Sequence, residues 1–192
     1  MSLINALTNE ERACIELLCT IHIATRNYLL YAEECAEKGE LFLQPLKEHR
    51  DAYEHLMRCY SILLLKNEHT QEYRQKYVYE NINKALGHEY RAFFDTADWL
   101  TYILRKGLRE RLQQCGEDKC NELFDNYAEI KDFINALPAE IAQLRAEKDI
   151  GNANAENSDV TEKVIVSGVK RYQQILDKLI ALQKETAEKL PL

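Results

Sequence analysis

The residues that could do chemistry in this chain begin with a polar stripe inside an apolar segment. His88, Arg91, Asp95, Asp98 and Tyr102 stand at i, i+3, i+7, i+10 and i+14, so on a helix they share one side. Tyr90, Phe93, Phe94, Ala97 and Trp99 run between them. Polar groups in such surroundings are costly unless they are paired. The stripe therefore reads as a pocket wall, a partner-docking face, or paired side chains along a solvated edge. Hairpin geometry adds to it. A fold-back near residue 69 sets residue 50 level with residue 88, which brings His49 and Arg50 towards His88 and Arg91. A fold-back near residue 41 adds Glu33 and Glu34. One end of a bundle is then expected to collect Glu34, His49, Arg50, His88 and Asp95. Acids, histidines and an arginine together suit proton transfer or anion binding. The same set equally makes a structural hydrogen-bond network.

Arg50-Asp-Ala-Tyr-Glu-His55 carries the spacing Arg-x4-His. It resembles the signature of HEPN-domain ribonucleases, an all-helical family in which the Arg and the His carry RNA cleavage, usually in a dimer. The resemblance covers six residues and implies catalytic roles for Arg50 and His55. Where the family has a polar residue after the Arg, this chain has Asp51, an acid that repels phosphate.

Other chemistries find little purchase. A carboxylate-bridged metal site on facing helices needs Glu-x-x-His pairs, and none of the five histidines has Glu three residues before it. Cys14-x4-Cys19 and Cys115-x4-Cys120 lack the close spacing of a structural zinc site. No Gly-rich phosphate loop and no Gly-x-Ser-x-Gly elbow occur. We therefore expect no metal and no cofactor. Arg105, Lys106, Arg109 and Arg111 form a basic run that either complements a helix C-terminus or docks an acidic partner. The eleven tyrosines add interface-prone surface.

The elements that must hold these residues are helices. Thr8-Asn-Glu-Glu11 is a capping box. Behind it Cys14, Leu18, Ile21, Thr25, Tyr28, Ala32 and Cys35 repeat in steps of four and three, with Gly39 as the stop. A second helix opens at Pro45 with the seam Leu46, His49, Tyr53, Leu56, Tyr60, Leu63. A third runs from Thr70 to Cys115 through Tyr79, Ile82, Leu86, Phe93, Ala97, Leu100 and Leu104, with Gly87 and Gly107 as points where it can kink. A fourth runs from Asp118 to Asp149. Its seam of Leu123, Tyr127, Ile130, Ile134, Leu137, Ile141 and Leu144 keeps one phase across Pro138, so a kinked but continuous helix is expected. A polar loop at about 151–158 precedes a last helix with the seam Ile165, Val169, Tyr172, Leu176, Leu179, Gln183 and Thr186.

Composition agrees. Hydrophobic residues are 46% and charged residues 30%, while Gly (6) and Pro (3) are too few to punctuate many short strands. The formal charge of -7 disfavours nucleic acid and anionic membranes as partners. No apolar run approaches the roughly 20 residues of a membrane span. The six cysteines without a signal-peptide pattern suggest reduced thiols in the cytoplasm. The expectation is thus an all-α, elongated single-domain bundle of about five long antiparallel helices, the third overlong. Its expected role is a non-enzymatic interaction protein that self-associates or docks a protein partner. The alternative is a HEPN-like ribonuclease or nucleotide-binding domain using Arg50 and His55.

Overall fold

Thr8 opens the first helix as its spacing predicts. Its amide donates to Glu11 Oε2 at 2.7 Å, and the Glu11 amide donates to Thr8 Oγ1 at 3.2 Å. Two of the amides that a helix start leaves unpaired are thereby satisfied. The computed structural model describes residues 7–36, 42–64, 69–153 and 158–190, and among these it contains six helices and no strand. They are α1 (Asn9–Cys35), α2 (Leu43–Leu64), α3 (Gln71–Cys115), α4 (Glu117–Leu123), α5 (Tyr127–Ala153) and α6 (Ser158–Lys189). The expected stop at Gly39 and the loop residues 154–157 lie outside the described residues. No described helix is long and apolar enough to cross a membrane.

The expected fourth helix is two helices. Phe124 leaves the helical path (φ -123°, ψ 106°) and buries its ring at 1% exposure. Asn126, a residue type that starts helices well, then accepts from the Ile130 amide at 3.1 Å and opens α5. Upstream, Gly116 separates α3 from α4 with φ +84°, a conformation costly for any residue with a Cβ. α3 is continuous through Gly87 and Gly107, and α5 is continuous through Pro138.

Packing divides the chain into two units, residues 1–96 and 97–192, with α3 contributing to both. The first unit joins α1, α2 and the N-terminal part of α3. Cys14 meets Asn83 and Tyr28 meets Phe93, so α1 runs parallel to α3. Cys59 meets Val78 and His49 meets Glu89, so α2 runs antiparallel. At one end Cys59, Ile62, Val78 and Ile82 form a buried apolar cluster with Leu7, Ile15 and Leu63 packed on it.

The second unit repeats this up-down-up order with the rest of α3, α5 and α6. Asp98 meets both Arg145 and Tyr172, and Arg109 meets Ile134. The α5 seam of Ile130, Ile134, Leu137, Ile141 and Leu144 is buried on both sides of Pro138. α6 buries Val169, Tyr172, Leu176, Leu179 and Leu182, and its weak last rungs still pack, with Thr186 at 2% exposure.

α2 departs from its expected seam. Its buried residues are Pro45, Glu48, Ala52, Cys59 and Ile62, with His55 half-buried among them. At 100° per residue this face is rotated by about 130° from the line of Leu46, Tyr53 and Tyr60. Those three are instead 45%, 63% and 42% exposed. Two polar rungs, Glu48 and His55, disguised the inward face, while the more apolar stripe points outward.

Candidate functional site

In the first unit, four histidines and two buried carboxylates gather where α1, α2 and α3 face one another. Glu89 occupies the rung of the α3 seam between Leu86 and Phe93, and is only 3% exposed. A carboxylate there must be paired to stay charged. His49 Nδ1 lies 3.0 Å from Oε1 and 2.9 Å from Oε2, and His22 Nδ1 lies 3.1 Å from Oε2. An ionised carboxylate only accepts, so both rings carry their proton on Nδ1 in this arrangement. The two imidazoles meet edge to face, with centroids 4.8 Å apart. His22 is 46% exposed and opens the group to solvent, whereas His49 is 16% exposed.

At the adjacent positions of α2 and α3, Glu48 binds His88 and Arg91. Arg91 Nε donates to Glu48 Oε2 at 2.9 Å, and His88 Nδ1 lies 2.8 Å from the same oxygen. Burial alone pushes the Glu48 carboxyl up, but the bonds from His88 and Arg91 outweigh it and hold the group below its ordinary range. His88 Nδ1 is also 2.7 Å from Arg91 Nη2. One ring nitrogen can donate to the carboxylate or accept from the guanidinium, not both, so the His88 tautomer selects which bond is made. His55 stacks on His88 at 5.4 Å between centroids. The Asn81 amide nitrogen donates to the Tyr77 carbonyl at 2.8 Å, which turns its oxygen towards His55. His55 Nδ1 therefore carries a proton and donates to that oxygen at 2.8 Å.

The expected residues come to neighbouring positions but bind different acids: His49 bonds Glu89, the residue after His88, while His88 and Arg91 bond Glu48, the residue before His49. Glu34 does not join them at His49. The residue of α1 opposite His49 is His22, twelve positions earlier, or about 18 Å along the helix. The seven-residue connection between α1 and α2 lets the two helices slip relative to a tight hairpin. Arg50 points outward at 70% exposure, its guanidinium on its neighbour Asp51 at 2.7 Å, while His55 faces Asn81 and His88. Asp95 is half-buried in the same unit.

The remaining candidates belong to the second unit. Tyr172, wholly buried, donates to Asp98 Oδ1, and Arg145 Nε donates to Asp98 Oδ2 at 2.9 Å. Burial first, and then this bond to an acid, push the Tyr172 hydroxyl far above its ordinary pKa. Tyr102 is 56% exposed. Burial, then the charges of Arg109 and Arg145, lower the Arg105 pKa. Arg109 Nη2 donates to the Ile134 carbonyl at 3.2 Å. Ile134 is four residues before Pro138, which has no N–H to offer that carbonyl. Arg109 supplies the bond that the proline removes.

Glu48, Glu89 and His22 escaped the sequence reading. The available signal was the skipped rung: the α3 seam steps seven residues from Leu86 to Phe93, and the position between them is an acid. The chain matches no family model, no curated protein and no solved structure.

Proposed function

We propose that this protein is a non-enzymatic helical scaffold that self-associates through the outward face of α2, in the cytoplasm. The observation that carries the reading is the stripe of Leu43, Leu46, Tyr53, Tyr60 and Leu64, each between 42% and 65% exposed. These residues fall within a 100° arc opposite the buried face, and the stripe extends about 32 Å along the helix. Met57 lies half-buried on the same arc. An apolar helix face of this length, interrupted by the single charge of Arg50, is a docking feature rather than ordinary surface.

Its spacing argues for a second copy as the occupant. The stripe is nearly palindromic. An antiparallel pairing about a two-fold axis sets Tyr53 on its symmetry mate, Leu46 on Tyr60 and Leu43 on Leu64, as an isologous interface requires. Arg50, the one charge on the arc, then lies opposite Met57 and one turn from Glu54 of the other copy. The six free cysteines suit a reducing compartment.

Cysteine cross-linking tests the pairing. In a Cys19→Ser background, which removes an exposed thiol, Tyr53→Cys forms a dimeric disulfide on mild oxidation. Leu43→Cys does not, because its two copies stand about 30 Å apart along antiparallel helices. Cross-linking at both positions, or at neither, contradicts this arrangement.

A further inference from the structure

We infer that His22, His49 and Glu89 form a binding site for a divalent first-row transition metal, with one ligand from each of the three helices of the first unit. The three ligand atoms all lie within 4.8 Å of one another. His22 Nδ1 and His49 Nδ1 converge on one oxygen, Glu89 Oε2, at 3.1 and 2.9 Å. Around an ion with bonds of about 2.1 Å, neighbouring ligand atoms stand about 3.0 Å apart at 90° and about 3.4 Å apart in a tetrahedron. The two nitrogen–oxygen distances already match these spacings, and the widest separation in the group, up to 4.8 Å, must close by about 1.4 Å to reach the tetrahedral value, a movement open to the half-exposed His22 ring.

Charge gives a second argument. Glu48, the other buried acid of the group, has Arg91 as its counter-charge. The partners of Glu89 among the described residues are the two imidazoles. A buried carboxylate is costly without a counter-charge, and no arginine or lysine is among these partners. A divalent cation held by all three side chains supplies such a charge. On binding, each ring shifts its proton to Nε2 and offers the Nδ1 lone pair to the ion. Two imidazoles and one carboxylate suit zinc, cobalt, iron or manganese rather than calcium or magnesium. Three protein ligands, with His22 46% exposed, leave positions open to water or to a small anion.

The test uses the full chain without an affinity tag, stripped with chelator, and titrated with Co(II) and then with Zn(II). Calorimetry gives the affinity, and the visible spectrum of the cobalt form reports its ligands. The expected result is one equivalent bound at micromolar affinity or tighter, with the nitrogen and oxygen spectrum rather than the intense bands of thiolate ligation. His22→Ala, at a half-exposed position, and the isosteric Glu89→Gln should each weaken binding by more than roughly 100-fold, beyond the loss caused by removing an outer-shell partner. Circular dichroism checks that both variants keep their helicity. Cys19→Ser, one turn before His22, should bind as wild type does. The proposal is overturned by wild type that does not bind below about 100 μM, by His22→Ala or Glu89→Gln binding normally, or by loss of binding in Cys19→Ser.

Discussion

Pro138 inside α5 makes a quantitative prediction possible. A proline in a helix interior removes the bond to the carbonyl four residues back, here Ile134, whose residue is 3% exposed. Arg109 Nη2 fills that vacancy at 3.2 Å. Removing it with Arg109→Ala leaves a buried carbonyl unsatisfied. A hydrogen bond from a charged donor contributes about 1.5–3 kcal/mol. The bond is long and Arg109 is itself exposed, so the lower end applies, about 1–2 kcal/mol. Pro138→Ala restores the backbone N–H, stabilising α5 on its own account by up to about 3 kcal/mol. In that background the Ile134 carbonyl has its helical partner, and Arg109→Ala should cost no more than about 0.5 kcal/mol, the usual scale for a surface substitution. The four proteins of this cycle, unfolded in urea and followed by far-ultraviolet circular dichroism, yield a coupling of about 1 kcal/mol. An equal cost of Arg109→Ala in both backgrounds would refute the assignment.

Other perturbations follow the same logic. With chelator present, His49→Leu should destabilise the chain by about 2–3 kcal/mol, because it leaves Glu89 buried with only the half-exposed His22. Glu89→Gln should cost less than about 1 kcal/mol, because the amide can pair with both rings once one tautomer shifts. Denaturant midpoints of the two variants decide the order. Tyr172→Phe should cost about 1–2 kcal/mol by urea unfolding, as Asp98 loses a buried donor while keeping Arg145. Burial pushes the Cys59 and Cys120 thiols up to about 11, whereas unfolded thiols ionise near ~8.5. The stability gained by keeping them neutral is complete below that unfolded value and is lost as pH rises towards 11. Wild type should therefore lose stability between pH 8.5 and 11 more steeply than a Cys59→Ala, Cys120→Ala variant, and parallel curves would contradict the shifts.

Much of the architecture was legible because apolar spacing and capping residues act locally. The Thr8 box, the α1 seam from Cys14 to Cys35 and the unbroken phase of α5 across Pro138 all depend on neighbours within a few turns. The α2–α3 register was also legible, since a short connection fixes which residues face one another. Legibility ended where polar residues occupy core rungs. Glu48 and His55 on α2, and Glu89 on α3, look like surface until their partners on other helices are known. The outward Leu46, Tyr53 and Tyr60 look like core for the converse reason. His22 was hidden because the level of α1 is set by its packing on α3, with Cys14 against Asn83 and Tyr28 against Phe93, and not by a local signal. The break at Phe124 had a local cue in Asn126 as a helix start, but the seam through Leu123 and Tyr127 masked it.

The outward stripe of α2 is tested most directly by molar mass in solution. Sedimentation equilibrium at micromolar concentration should give wild type about twice its 22.4 kDa chain mass. Leu46→Glu with Tyr53→Glu should give a single chain with unchanged helicity, since both positions face away from the core. A monomeric wild type, or a double variant that remains dimeric, would contradict the account.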